Sequence, residues 1–494
     1  MILAAFIVTA LAALGLIAVS RTHRQMNSIC IGEAAVFLGL EIWLLLSGQI
    51  PVLSLVLGNQ YFFIDHLGLY EALIASIIFL LAAIYARGYV DNLLESRELG
   101  RGSLKLFYVA WAFLLALIVF AFFSDNLALF WIFTELTTVV SAILIAILYA
   151  RDNIDAAIKY IFIASVSMLF SFVGLIFLFQ ISRSTFDPGT LNWTVLMQQA
   201  PAFPAGMMLA AFALLFIGFA AKSGIFPFHT WLPEAHVRAP SAVSALLSGV
   251  LLNVGIYGII RIFALVHRTT AVSTVSILLL VFGLLTVGIA AISMLPQKKL
   301  KKLIAFSSIE NMGLILVGLA IATPVAIFWT LFHVMAHSFT KAGLFFSAGI
   351  LHRQYHSPLS ADAVDDMHDV FRFQPVAAWG IILGGLAIIG MPLFPVFLSK
   401  LFILTQLFTV SLPALVLLLV LLFIAAASFG YYVISTFTQV SQPGPDAHDI
   451  VAYKTPAGMQ WPIIILIVMI FILGTVFTSG ETGFLNTIVA ELMF

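Results

Sequence analysis

Long apolar stretches alternate with short segments of charged residues, proline or glycine along the whole chain. Because a helix needs roughly 20 apolar residues to cross a bilayer, each stretch predicts one membrane span. The pattern predicts 14 spans, with longer polar connectors near residues 351–374 and 439–459. The predicted fold is therefore an all-α integral membrane protein. The spans are predicted near residues 2–20, 29–48, 66–88, 105–122, 126–149, 155–182, 205–223, 240–266, 272–295, 302–321, 324–350, 375–404, 411–438 and 460–478.

Composition supports a membrane protein and excludes several other classes. Of the 494 residues, 62% are hydrophobic and only 9% are charged, whereas a soluble chain carries about 25% charged residues. The single cysteine, Cys30, excludes an internal disulfide and any four-cysteine iron–sulfur or zinc site. No Walker-type glycine loop occurs, which argues against nucleotide hydrolysis. The first apolar stretch precedes the first charged residue, Arg21, the reverse of a secretory signal peptide, and predicts a retained helix.

The basic residues fall unevenly on the two sides of the predicted bundle. Of the 22 lysines and arginines, 15 lie in odd-numbered loops, and only Arg183 and Arg268 lie in even-numbered loops. A missed span would exchange odd-numbered and even-numbered loops beyond it and remove this uneven distribution. The distribution of basic residues therefore supports the predicted number of spans. The positive-inside rule then places odd loops in the cytoplasm and both termini outside it. We expect a multi-pass protein of the prokaryotic cytoplasmic membrane.

Two charged spans are also interrupted. Lys222 ends the seventh stretch and precedes the helix-breaking residues 223–229, whereas Lys400 follows the break at residues 390–395. Spans 7 and 12 lie five apart and so cross in opposite directions, which predicts inverted five-helix repeats in spans 4–8 and 9–13 with broken helices 7 and 12. Alternatively, these lysines snorkel to the interface. The single membrane domain, 1–494, then divides into N-terminal helices 1–3 (1–104), a first repeat (105–266), a second repeat (272–438), and a last helix with a C-terminal tail (460–494).

Other ionisable residues recur in matching positions of the two predicted repeats. Glu135 corresponds to Glu310, and Lys159 on span 6 corresponds to Lys341 on span 11. A charge at mid-bilayer costs about 2.5–3.5 kcal/mol on insertion scales, so such residues need a function. A nearby carboxylate stabilises the charged ammonium form of a buried lysine, whereas burial stabilises the neutral amine. A change in the influence of the carboxylate can therefore make the lysine take up or release a proton. Alternatively, Glu135 forms a static ion pair, and Lys159 pairs with Asp155 one helical turn away.

Histidines add further titratable groups. His333, His337 and Lys341 are spaced i, i+4 and i+8, which places them on one helix face about 6 Å apart. Histidine accepts and donates protons near neutral pH. A haem is a weaker alternative, because its two histidines must face each other from different helices. His229 and His236, with Glu234 between them, suggest a metal site, but their prolines and the broken helix favour a cytoplasmic funnel or a turn.

A family resemblance is carried by residues 221–236 and 239–250, and continues through 301–308 and 337–341. These segments resemble the antiporter-like membrane subunits shared by respiratory complex I, Mrp-type sodium/proton antiporters and membrane-bound hydrogenases, over roughly spans 3–13. The resemblance implies that Glu135 is the family's fifth-helix glutamate and Lys222 its seventh-helix lysine. It also implies that Lys341 and Lys400 are basic residues of the second half-channel.

The chain differs from many members of this family at one central position. Asn253 occupies the eighth-helix position where many relatives carry a lysine. Asparagine cannot hold a proton as a charge, so the central relay is expected to use water or the span-11 histidines. Residues 307–311, with an acid after Ser-Ser-Ile, are most similar to the F-type subunit of hydrogenase-4 and formate-hydrogenlyase complexes.

The expected function is that of a proton-translocating membrane subunit of an energy-converting oxidoreductase complex, of the membrane-bound hydrogenase or formate-hydrogenlyase type. Redox chemistry is expected on partner subunits that carry iron–sulfur clusters and a NiFe centre, with no cofactor or metal on this chain. Expected partners are other membrane subunits, a peripheral redox module on the cytoplasmic side, lipid, and protons or Na⁺, but no nucleic acid. The alternatives are a subunit of an Mrp-type antiporter or of complex I, a structural anchor, and a haem-bearing electron carrier. The predicted proton pathway comprises Glu135, Lys159, Lys222, His229, Asn253, Glu310, His333, His337, Lys341 and Lys400.

Overall fold

The computed structural model describes residues 2–56, 59–96, 98–148, 150–355, 367, 369–438, 453–476 and 483–493. Most of the two predicted long connectors, near 351–374 and 439–459, lies outside these residues. The first helices are α1 (Ile2–Val19), α2 (His23–Ser47), α3 (His66–Glu95), α4 (Leu104–Phe122), α5 (Leu127–Ala146), α6 (Arg151–Thr185), α7 (Trp193–Gln199), α8 (Ala205–Lys222), α9 (Trp231–Arg238), α10 (Ser241–Leu246) and α11 (Leu252–His267). They are followed by α12 (Val272–Met294), α13 (Leu300–Ile321), α14 (Pro324–Gln354), α15 (Val370–Phe373), α16 (Pro375–Ile389), α17 (Pro395–Val410), α18 (Leu412–Phe437), α19 (Ala457–Val476) and α20 (Gly483–Met493).

The predicted spans are confirmed. In the described part of the chain, 13 helices are long and apolar enough to cross a membrane, counting α10 and α11 as one. Between α10 and α11 the chain continues through a π-helical turn, Leu247–Leu251. The remaining predicted span, the twelfth, is divided between the shorter apolar helices α16 and α17. The interruption predicted there from proline and glycine is therefore present.

Both predicted breaks depend on a glycine in the left-handed region of backbone conformation. Gly224 follows the end of α8 with φ of 66°, and Gly390 follows the end of α16 with φ of 89°. For residues that carry a Cβ, this conformation costs about 1–2 kcal/mol. The two breaks place Lys222 at the last residue of α8 and Lys400 on the second turn of α17.

The spans of the two predicted repeats pack in a similar order. In the first set, α4 packs on α5, α5 on α6, α6 on α8, and α8 on α11. In the second set, α12 packs on α13, α13 on α14, α14 on α16 and α17, and both of these on α18. This recurring order agrees with two five-span units, whose boundaries as separate domains stay a prediction.

The middle of the bundle is shielded from lipid. Almost every residue of α10–α11, α13 and α14 is buried, whereas only 28% of the apolar window of α1 and 22% of that of α18 is buried. Because lipid faces are apolar and polar groups need partners, the enclosed helices are the ones that can carry ionisable side chains. They carry Asn253, Glu310, His333, His337 and Lys341.

The connectors at the even-loop end form a layer that the apolar pattern did not predict. Strands β1 (Val52–Val56) and β2 (Asn59–Ile64) pair antiparallel between α2 and α3. Asp125 joins this hairpin to the next connectors by accepting hydrogen bonds from Gln60 Nε2 (2.8 Å) and from the Thr194 amide (3.0 Å). At the same end, α20 contacts α3, α11 and α14. The layer fixes the ends of spans that are far apart in sequence.

Candidate functional site: a buried row of ionisable residues

Lys222 is enclosed at the end of α8 and is held by neutral hydroxyl groups. Its side chain has no solvent exposure, and its Nζ donates hydrogen bonds to Thr138 Oγ1 (2.8 Å) and to Tyr160 Oη (3.3 Å). Tyr160 also contacts Ser141 Oγ (2.9 Å) and packs on the Trp231 ring of α9 at 4.4 Å. The break after α8 therefore turns α9 back to close the pocket around the lysine amine.

Among the described residues, Glu135 does not form the static ion pair that was one alternative for it. This half-buried carboxylate on α5 accepts a hydrogen bond from Ser165 of α6, and its Oε2 has no hydrogen-bond partner among the described residues. It lies within electrostatic range of Lys222, but no ion pair joins the two in the described part of the chain. A rotation of one side chain would change their separation.

Lys159 is not buried, contrary to the expectation from its match with Lys341. Its side chain is 41% exposed, and its Nζ forms an ion pair with Glu234 Oε1 of α9 at 2.8 Å rather than with Asp155. The physical reason is helix length. The 35 residues of α6 span about 52 Å, more than the roughly 30 Å hydrocarbon core, so the first turns reach the interface. A role of Lys159 in proton transfer stays a prediction.

Lys400, in the second repeat, is held by a carboxylate instead. Its Nζ lies 2.9 Å from Glu310 Oε1 of α13 and donates to the carbonyl of Ile388 at 3.1 Å. That carbonyl is accessible because α16 ends at the break. Asn311 Nδ2 donates to the other Glu310 oxygen at 2.6 Å. The equivalent residues Glu135 and Glu310 therefore differ in their contacts: one bonds a serine, the other a lysine.

The predicted stripe on α14 is enclosed and continuous. His333, His337 and Lys341 have no solvent exposure. His333 Nδ1 contacts Ser399 Oγ at 2.8 Å, one residue before Lys400. Lys341 Nζ donates to the Ile304 carbonyl (2.8 Å) and to Ser307 of α13. The three side chains therefore run between the Glu310–Lys400 pair and the first turns of α13.

Both ring nitrogens of His337, and Nε2 of His333, have no hydrogen-bond partner among the described residues. His337 lies within electrostatic range of Lys341, His333 and Lys400. Buried polar groups are normally hydrogen-bonded to protein or to ordered water. In the described part of the chain, no protein group is hydrogen-bonded to these nitrogens.

His236 joins the stripe of His333, His337 and Lys341 in one row of buried ionisable residues, a position that was not predicted from the sequence. It is fully buried on α9, its ring stacks on Phe345 of α14 at 4.7 Å, and it lies within electrostatic range of Lys341, Lys301 and His337. Helical spacing on α9 was the available signal. Positions 231, 232, 235 and 236 share one face, opposite the charged residues 234 and 238.

The possible metal site around His229 is not formed. Glu234 is exposed and paired with Lys159, whereas His236 is buried against Phe345. His229 is half-buried beside Phe226 (ring centroids 5.9 Å apart), and its place in the pathway stays a prediction. Over all described residues, no cluster of three or more His, Cys, Asp or Glu side chains could hold a metal ion.

Asn253 connects the two repeats and contacts a carboxylate that the sequence reasoning overlooked. Its Nδ2 donates to Ser338 Oγ of α14 (2.9 Å) and to Glu71 Oε2 of α3 (3.2 Å). Glu71 was detectable as an acid inside the predicted third span, as were the buried Glu33 and Glu41 in the second. Their contacts could not be predicted, because Glu71 and Asn253 are 182 residues apart.

Comparison with known proteins identifies the family of the chain. The family described as "NADH:quinone oxidoreductase/Mrp antiporter, TM" matches residues 124–425, more than half of the chain. A hydrogenase-4 component F homolog of Methylacidiphilum infernorum (isolate V4) is 31% identical over 72% of this chain and 74% of its own length. Hydrogenase-4 component B of Escherichia coli (strain K12) is 27% identical over 70% and 51%. NADH-quinone oxidoreductase subunit M of Rickettsia prowazekii (strain Madrid E) is 30% identical over 58% and 57%. The alignments with the last two thus span only about half of those proteins.

Two solved structures share the fold. A chain of the membrane-bound sulfane sulfur reductase, an archaeal respiratory membrane complex, has a TM-score of 0.87 at 20% identity, over 100% of this chain and 97% of that chain. A chain of the Mrp complex from Dietzia sp. DQ12-45-1b has a TM-score of 0.84 at 18% identity, with the same coverage. At these identities the likeness shows the fold alone. Together with the family match, it confirms the resemblance found in the sequence: the chain belongs to the NADH:quinone oxidoreductase/Mrp antiporter transmembrane family, as an antiporter-like subunit related to hydrogenase-4 components.

Proposed function

We propose that this chain translocates protons as a membrane subunit of an energy-converting complex of the membrane-bound hydrogenase type. The observation that carries the proposal is the row of enclosed ionisable side chains on the helices farthest from lipid. The row joins His236 of the first repeat to Lys341, His337, His333 and the Lys400–Glu310 pair of the second repeat. Ionisable groups are costly in this position, and membrane proteins keep them chiefly for ion pathways.

Electrostatic coupling along the row supplies a mechanism. Two unit charges about 6–8 Å apart, at an effective dielectric constant near 20, interact by roughly 2–3 kcal/mol. That energy changes a neighbour's proton affinity about a hundredfold. Protonation of one group therefore lowers the proton affinity of the next, and a charge change at one end of the row can move protons along it.

The two repeats support alternation between two states of each lysine. Lys400 is paired with Glu310, the state that favours a charged ammonium. Lys222 touches only neutral oxygens in the described residues, while Glu135 bonds Ser165. In the proposed cycle, Glu135 turns from Ser165 towards Lys222, as Glu310 is already turned towards Lys400. Each change of partner loads or releases one proton.

The remaining features of the assembly belong to the same proposal. Odd-numbered loops face the cytoplasm of a prokaryotic cell, where a peripheral redox module with iron–sulfur clusters and a NiFe centre docks with further membrane subunits. The uneven distribution of basic residues supports this orientation. Relationship to hydrogenase-4 components F and B supports a hydrogenase-type partner.

The test begins with purification of the native complex through an affinity tag on this chain, followed by reconstitution into liposomes. Electrochemically reduced methyl viologen supplies electrons in a strongly buffered medium, H2 is measured in the gas phase, and trapped pyranine reports the pH of the lumen. We expect nickel and iron in the complex, H2 evolution, and acidification of the lumen that a protonophore abolishes.

Sodium transport is the competing function, because the fold is shared with an Mrp complex. Repeating the assay in choline buffer separates the two. Unchanged acidification supports proton translocation. Acidification that requires Na⁺, or a purified complex with only small membrane subunits and no metal, contradicts the proposal and favours an antiporter.

A further inference from the structure

Glu71 brings a carboxylate from outside the two repeats to the place where they meet. It lies on α3, which belongs to neither repeat, and is 1% exposed. Its Oε2 accepts a hydrogen bond from Asn253 of the first repeat, whose Nδ2 also donates to Ser338 of the second repeat. An amide nitrogen has two hydrogens to donate, so Asn253 directs one to the carboxylate and one to the opposite repeat.

Among the side chains hydrogen-bonded to Asn253 in the described residues, Glu71 is the ionisable one. On one side, Ser223 follows Lys222 and donates to the carbonyl of Leu252 at 3.0 Å, directly before Asn253. On the other side, Ser338 follows His337. Serine and asparagine form hydrogen bonds but hold no proton as a charge near neutral pH. Glu71 is the group in this hydrogen-bonded contact that can take up and release a proton.

The surroundings of Glu71 argue against a purely structural carboxylate. No basic side chain lies within ion-pair distance in the described part of the chain, and its Oε1 has no hydrogen-bond partner there. A buried charge without a partner costs several kcal/mol, so a carboxyl group kept for packing alone is a poor choice. A π-helical turn at Leu247–Leu251 precedes Asn253, and such turns often occur at functional sites.

We infer that Glu71 carries protons between the two half-channels, and that Asn253 is a positioning residue that holds it. This inference rests on the proposed function. Glu71 accepts a proton from the side of Lys222 and releases it to the side of His337, with the hydroxyls of Ser223 and Ser338 in the line. The central step therefore runs through an acid supplied by α3.

Three variants of the reconstituted complex test this role. Glu71→Gln keeps the shape of the side chain and removes its proton-carrying group. Glu71→Gln with Asn253→Asp exchanges the two functional groups, so that an amide donates to a carboxylate at the same junction. Glu41→Gln is the matched control, because Glu41 of α2 is equally buried but accepts its hydrogen bond from Ser76 of α3, outside the repeats.

Lumen acidification is measured per mole of assembled complex. We expect Glu71→Gln to lower its initial rate at least tenfold, the exchange variant to recover at least a third of the wild-type rate, and Glu41→Gln to stay within twofold. If Glu71 served only as a hydrogen-bond acceptor for Asn253, the amide oxygen of Glu71→Gln would still accept that bond and acidification would stay at the wild-type rate. Wild-type acidification in Glu71→Gln, no recovery in the exchange variant, or an equal loss in Glu41→Gln overturns the inference.

A fourth variant, Lys222→Met, separates failure of this inference from failure of the proposed function. If Lys222→Met stops acidification and Glu71→Gln does not, only the role of Glu71 is wrong. If the wild-type complex does not acidify the lumen, or Lys222→Met does so normally, the proposed function itself fails.

Discussion

At the scale of residues, the two buried lysines of the broken helices differ in their partners. Lys400 is paired with a carboxylate, whereas Lys222 is bonded to hydroxyls. The residue types could be predicted from the sequence, because a charge inside an apolar stretch is conspicuous. Their partners could not, because Glu310 and Lys400 are 90 residues apart and an apolar pattern contains no information on such contacts. The exposure of Lys159 was not predicted either, because the apolar stretch did not indicate that α6 is 35 residues long.

Removing one or both members of the Glu310–Lys400 pair separates stability from transport. Glu310→Gln leaves the buried lysine without its counter-charge, which costs about 3–5 kcal/mol when one partner of a buried pair is lost. We expect a lower Tm of the purified complex and at least a tenfold loss of lumen acidification. Glu310→Gln with Lys400→Met removes both charges, so Tm should recover while transport stays lost. Transport by the double variant, or a Tm as low as that of the single variant, contradicts this interpretation.

At the scale of elements, the number of spans and the two breaks followed from sequence, and the short elements did not. Apolar stretches of about 20 residues and the proline and glycine breaks gave the spans and both interruptions. The hairpin β1–β2 escaped prediction because strands of five and six residues between two long apolar stretches leave little periodicity. The helix α9 escaped as well, although its eight residues bring His236 into the row.

The turn after α8 can be tested through its glycine. A Cβ on Gly224 would lie 2.5 Å from Leu232 Cδ1, and φ is +66°, so Gly224→Ala carries steric overlap in addition to about 1–2 kcal/mol of backbone strain. We expect less assembled complex and weaker transport, because α9 closes the pocket around Lys222. The control is Gly206→Ala in the first turn of α8, where a Cβ meets nothing within 4 Å. Equal yields and Tm values for the two variants would show that the turn tolerates a side chain.

At the scale of the whole molecule, the described helices that face lipid differ from those that carry the ionisable residues. The exposed helices α1 and α18 face lipid, and the enclosed α10–α11, α13 and α14 carry most of the row. Families of this fold were recognisable from residues 221–250, so the architecture could be predicted as a whole. The junction of the repeats could not, because it depends on α3, which lies outside the repeated pattern.

If protons cross this molecule through its buried ionisable residues, loss of the Lys222 amine must slow their passage. The measurement is the rate of lumen acidification by the reconstituted complex carrying Lys222→Met, beside Lys105→Met, which removes an exposed lysine that donates a hydrogen bond to the Ala18 carbonyl. We expect Lys222→Met to lower the rate of acidification at least tenfold in a complex with normal subunit composition and metal content. The rate of Lys105→Met should stay within twofold of the wild type. Wild-type acidification by an assembled Lys222→Met complex would contradict proton passage through these residues.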